Sequence, residues 1–419
     1  MTSEQVSRSQ AASRNEIQKP STEVPPGREH YVPVRVPDLV DFLADGKGAK
    51  VDPSPLPETE AAAFRKLADR LVEYFHRTFR IRYQHIKDTY APFDPDRDTV
   101  RVTEPSAADR DRAIHQLFAE LGDLLGKANY VELSRAEAER VMQGHTLWGL
   151  ELDVDWTVFD HLLLFYRGDS SGPRTIRRWW KLWMKEEKIV PEFSRLVVIL
   201  KQRPHRRLGK SADTSSVFLK IFKDMPKPDL EMVLPGTRIR LTKWDKGLIV
   251  YPVMSGLAVV LYKLLSSWIG FRDVLAIGGA VSLSWSLAAL FAGYGYRSYS
   301  SYTGKKTAYN LQLTQSLYYQ VIGTNAGVFF RLLDEAEEQE VREAMLGYYY
   351  LWRHAAERSM TADELDDLVQ RDFHRRLGVK VDFEIEDALR KLEDLKVVEK
   401  EGNGYRAVPL ERAVASVAA

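Results

Sequence analysis

The 419-residue sequence contains no cysteine, which excludes disulfides, thiolate metal sites and a cysteine nucleophile. It also lacks an HExxH zinc helix and a GxSxG nucleophile elbow. Gly209-Lys210-Ser211 ends like a phosphate loop, but Pro204 stands where the first glycine is required, so the pattern fails. An excess of one charge is missing too. There are 60 Lys and Arg against 59 Asp and Glu, which gives no global attraction to nucleic acid. The first residues have no apolar run of the signal-peptide kind, and Glu4, Glu16 and Glu23 do not suit a transit peptide. Residues 1–29, with Pro20, Pro25 and Pro26, read as a disordered tail. The nine histidines are scattered. No catalytic residue, metal ligand or cofactor is assigned from these features.

Long apolar runs are present. Val274–Tyr294 carries no charge, and Leu248–Trp268 is interrupted only by Lys263 near its end. At about 1.5 Å per residue, each reaches roughly the thickness of a hydrocarbon core. Arg238, Arg240, Lys243 and Lys246 precede the first run, and Arg297, Lys305 and Lys306 follow the second. The expectation is a two-helix transmembrane hairpin over 244–296 with both termini cytoplasmic. Ala276, Ala280, Ser284, Ala288 and Ala292 recur every fourth residue, a small face suited to close helix packing or a homo-oligomer contact.

The remainder reads as α+β. Residues 30–150 form a helical domain: Phe64, Leu67, Leu71 and Phe75 make one apolar stripe, and Ser134 with Glu137 forms a capping box. Residues 151–243 read as a small antiparallel β domain. Residues 297–357 read as long helices, with Gly323, Asn325 and Gly327 as either a break or a point of tight helix packing. Residues 358–419 resemble a winged helix, opened by a Thr361/Glu364 capping box and closed by a hairpin at Gly402–Gly404.

Charge is unevenly spread. Arg174 to Lys210 has a net charge of +9 and holds Trp179, Trp180 and Trp183. Arg174, Arg177, Arg178, Lys181, Arg203, Arg206, Arg207 and Lys210 are the candidates for contact with anionic lipid headgroups. A single-stranded nucleic acid and a plain solvated sheet face are the rivals. Thr361 to Arg412 has a net charge of −4. That repels phosphates and suits a protein partner rather than nucleic acid.

Several strings resemble the transmembrane protein 143 family and its bacterial relatives. They are Tyr90–Asp96, Ala128–Ser134, Phe222–Pro235, Leu317–Gln320 with Asn325, and Asp334–Glu340. The resemblance implies an uncharacterised two-span membrane protein, of the bacterial cytoplasmic membrane or, in a eukaryote, the mitochondrial inner membrane. It implies no catalytic residue. The expected role is a membrane-anchored interaction protein. The alternative is a membrane-surface enzyme with a cation site near Asp224, Asp229 and Glu231.

Overall fold

The computed structural model describes residues 31–99, 106–142, 151–177, 185–240, 318–354, 358–381 and 385–417, with isolated positions between 293 and 311. Three helices open it: α1 (Val36–Asp45), α2 (Glu58–Tyr90) and α3 (Ala107–Lys127). The strand β1 (Val131–Glu132) and the helix α4 (Arg135–Met142) follow. The β region holds β2 (Glu151–Asp153), β3 (Phe159–Arg177), β4 (Lys185–Gln202), β5 (Val217–Pro226), a 3-10 turn (Lys227–Val233) and β6 (Arg238–Arg240). The strand β7 (Val321–Thr324) leads into the helix α5 (Ala326–His354). Finally come α6 (Ala362–Leu377), α7 (Ile385–Asp394), β8 (Val398–Glu401), β9 (Gly404–Ala407) and α8 (Leu410–Val417).

The central sheet is antiparallel, in the order β1-β3-β4-β5-β7. Strand side chains alternate between faces, and β4 shows why both faces are covered. Val197 and Ile199 point into one core, shared with Phe165, Leu219, Ile221 and the helices. Leu196, Val198 and Leu200 point into a second core, beneath Ala138 and Met142 of α4 and Leu230 and Val233 of the 3-10 turn. A strand buried on both faces reads as an unbroken apolar run.

The helical core forms around α5, which packs against α1, α2, α3, α6, α7 and β5. The α2 stripe Phe64, Leu67, Leu71 and Phe75 is buried there, with the Phe64 ring edge-on to Tyr349 at 5.4 Å. The C-terminal elements share this core. The helix α8 lies on α2, Phe373 meets Phe42 at 5.8 Å, and Tyr348 Oη donates to Val408 O at 2.9 Å. One face of α7 (Ala388, Leu389 and Leu392) is buried on α5, where Gly347 leaves room for Leu392.

The transmembrane hairpin is corrected. Among the described residues, no helix is long and apolar enough to cross a membrane. The longest described helices do not have the all-round apolar surface of a span. Both α2 and α5 are amphipathic, with apolar stripes packed together and charges such as Arg70, Glu73, Arg331 and Glu338 along them. The expected first span, Leu248–Trp268, lies outside the described residues, and so do Ala276, Ala280, Ser284, Ala288 and Ala292. Of Val274–Tyr294 only Gly293 is described, as helical and exposed. The multi-pass membrane placement, with both termini cytoplasmic, rested on those spans and is withdrawn with them.

Candidate functional site

Segments far apart in sequence are tied together at one corner of the sheet. The loop after α2 meets β5: Tyr90 Oη donates to Val217 O at 3.0 Å, and Val217 N donates to Phe93 O at 2.9 Å. Asn325 sits between β7 and α5 with φ 46°, a left-handed conformation that asparagine tolerates better than most residues. Its Nδ2 donates to Asp96 Oδ2 at 2.6 Å, and its Oδ1 accepts from Leu219 N at 3.3 Å. Gln320 Nε2 donates to Asp224 O at 3.0 Å.

A buried polar cluster lies between the sheet and α5. The Arg167 guanidinium of β3 is sandwiched between the Tyr31 and Tyr130 rings, 4.5 and 4.6 Å from their centroids. It pairs with Glu335 Oε2 at 2.9 Å and donates to Ala128 O at 3.1 Å. Tyr130 Oη donates to the same Glu335 oxygen at 2.8 Å. About two turns on, Glu343 Oε1 accepts from Asn129 Nδ2 and Gln339 Nε2 at 2.9 and 2.8 Å. Gln339 Oε1 in turn accepts from Val32 N at 3.3 Å. Lys391 of α7 reaches Glu340 and Asp387 together.

Glu340, Glu343 and Asp387 are the one acidic group among the described residues whose ligand atoms converge as a metal site would require. The Lys391 ammonium already contacts two of them, and Lys127 Nζ lies 3.8 Å from Glu340. Burial pushes Lys391 down, but the two carboxylates in contact favour the charged form, and we assign it as an ammonium. Lys391 and Lys127 thus offset two of the three carboxylate charges, and the cluster joins α3, α5 and α7.

A second group of charges sits at the sheet edge. Arg207 donates to Asp153 Oδ2 at 2.9 Å, and its Nε lies 3.0 Å from Asp155 Oδ2. Asp229 and Glu231 are carried into the protein by the 3-10 turn and are 6% and 7% exposed. Burial, then the Asp229 and Asp153 charges, push Glu231 up to about 7. Its Oε2 accepts no hydrogen bond. Asp224, near the end of β5, is exposed and has φ 48°. The expected trio of Asp224, Asp229 and Glu231 is thus split, and these acids are not among those that converge on one point.

The basic stretch is split as well. Arg203 pairs with Asp160 at 3.2 Å, and Arg207 is held by Asp153 and Asp155, while Arg206 and Lys210 are exposed. Arg174 and Arg177 lie far out on β3, facing Lys188 and Lys185. Arg174 is roughly 50 Å of strand length from Phe159 at about 3.3 Å per residue, and Phe159 pairs with Gln202 beside Arg203. Arg178, Lys181, Trp179, Trp180 and Trp183 lie outside the described residues. Sequence proximity had merged two sites at opposite ends of one hairpin.

The outer part of that hairpin is a two-stranded ribbon. The last β4–β5 partner pair is Glu192 with Pro226, and β1 pairs with β3 only at Phe165 and Tyr166. Ser171–Arg177 and Lys185–Pro191 thus pair only with each other among the described residues. Pro173 faces Ile189, and Pro191 faces Ser171. A proline cannot donate to a ladder, so both stand on the ribbon's outer edges and blunt them against a further strand. Sequence reasoning missed Arg167 and the depth of Glu231. The regular spacing of Leu164, Tyr166, Leu196 and Val198 marks the strands, but nothing local says which polar neighbour turns inward.

A protein family of unknown function (DUF3754) matches residues 159–327, from the start of β3 to the first turn of α5. No solved structure matches the chain.

Proposed function

We propose that the chain is an interaction protein that works through the β3–β4 ribbon, whose bases engage the headgroups of anionic phospholipids. The observation that supports this is the ribbon itself. It extends beyond its neighbouring strands and carries Arg174, Arg177, Lys185 and Lys188, with Arg178 and Lys181 in the connecting sequence. Each well-placed base contributes about 1 kcal/mol at an anionic surface. Blunted edges leave the side-chain faces as the means of contact. Arg203 and Arg207 are excluded from the contact because aspartates already hold them. The contact is peripheral, made by side chains of the ribbon. Co-sedimentation with phosphatidylserine-containing vesicles tests the proposal. The wild-type chain should bind at low salt and release as salt rises, and R174E/R177E should bind weakly. Equal binding by both proteins would sink it.

The finer kinship, with the transmembrane protein 143 group, is also proposed. It is supported by the convergence of the resembling strings. Tyr90, Phe93 and Asp96 lock onto β5 and Asn325, and Asn129 and Tyr130 lock onto Glu343 and Glu335. The two-span topology of that group is not carried over.

A further inference from the structure

We propose that Glu231 is a proton-operated catch for the 3-10 turn Lys227–Val233, which seats firmly on α4, β4 and β5 while the carboxyl is neutral and loosens when it ionises. The geometry that carries this is burial without compensation. Glu231 is 7% exposed, and its Oε2 lies in the interior with no hydrogen bond. Among the described residues, the charges that act on it are those of Asp229 on the same turn and Asp153 on β2, both negative.

The one cation described in contact with that acid group is Arg207, which is committed to Asp153 and Asp155. His205 stands 3.8 Å from Asp155 and faces the same pair. The charges of α4 are satisfied locally. Arg135 pairs with Glu139, Arg140 lies 3.9 Å from Glu137, and Glu137 caps Ser134. On β5, Lys223 and Asp224 are exposed, and on β4 Arg195 donates to Ser194 O. Glu192, also on β4, is buried. The side chains of Arg238 and Arg240 on β6 lie outside the described residues. An unpaired carboxylate in such a place is costly, whereas a neutral carboxyl is not.

The sign follows from linkage. The closed turn holds the Glu231 proton up to about pH 7, against an ordinary value of 4.5. The closed state therefore binds more protons, and opening becomes easier as pH rises through that window and levels off above it. Between pH 6 and 8, one such proton changes the opening equilibrium by about tenfold.

The experiment is hydrogen exchange on the full chain, corrected for the intrinsic pH dependence of exchange, together with ¹³C NMR of the glutamate carboxyls. We expect amides in 227–237 to lose about tenfold protection from pH 6 to 8 in the wild type and to change less than about twofold in Glu231→Gln. The Glu231 carboxyl resonance, assigned by its loss in that variant or by sequential connectivity, should titrate near 7. A midpoint between about 4 and 5 would overturn the proposal. So would an unchanged pH dependence of exchange in Glu231→Gln. If that variant fails to fold, the wild-type carboxyl titration alone decides.

Discussion

Replacing Arg167 with alanine should be among the most damaging single changes in the chain. Its guanidinium is 12% exposed, its partner Glu335 is 14% exposed, and it stacks on two tyrosine rings. Removing one member of a buried ion pair costs about 3–5 kcal/mol. Glu335 keeps Arg331 Nε at 2.9 Å and the Tyr130 hydroxyl, so the lower end, about 3 kcal/mol, is the appropriate figure. The ring contacts contribute roughly 1–2 kcal/mol of the total. Lysine at this position keeps the charge but loses the planar stack and the second donor, so R167K should retain about half of the stability that R167A loses. Urea unfolding followed by far-ultraviolet circular dichroism would measure both changes. Losses below about 1 kcal/mol for R167A would refute the view that this residue joins the sheet to α5.

Other contacts give sharper local tests. Asn325→Ala removes the bonds to Asp96 and to Leu219 N and puts alanine at a positive φ. A loss of about 2–4 kcal/mol in denaturant midpoint analysis is expected. Gly347→Val drives a side chain into Leu392, whose Cδ1 lies 3.1 Å from where a Cβ would stand. It should lower stability by about 2 kcal/mol, with loss of protection in α7 by hydrogen exchange. Tyr348→Phe strands the Val408 carbonyl that its hydroxyl reaches and should cost about 1 kcal/mol in the same unfolding assay. Lys201, which hydrogen-bonds Asp160, holds that carboxyl below its usual range. This contribution is present above the unfolded value of 3.8 and is lost as pH falls through the folded one. Asp160→Asn should therefore flatten part of the acid-unfolding limb.

Much of the helical framework was legible because it follows from spacing. Phe64, Leu67, Leu71 and Phe75 recur at helical intervals and are buried as a stripe on α2. Thr361 and Glu364 form the reciprocal cap that their spacing implies. The β region was less legible. Residues 167–175, with Gly168, Ser170, Ser171, Gly172 and Pro173, have the composition of a turn. They run as the middle of β3 instead, because continuous pairing with β4 overrides local preference. Val321–Thr324 falls where the long helices were expected to be interrupted, but four residues carry no period of their own, and only the pairing with Lys220–Phe222 makes them a strand. The paired apolar runs that suggested a membrane hairpin were judged by hydropathy and flanking charge, which fix length and polarity but not surroundings. The candidate sites failed to appear for a related reason. Sequence can locate Asp224, Asp229 and Glu231 within eight positions, but not that the 3-10 turn buries Asp229 and Glu231 while Asp224 stays exposed.

The most direct test of the proposed role is hydrogen exchange of the full chain with and without phosphatidylserine-containing vesicles. The account predicts added protection in 171–177 and 185–191, with 203–210 unchanged, because Arg203 and Arg207 are already paired within the protein. Protection confined to 203–210, or no protection anywhere in the ribbon, would contradict it.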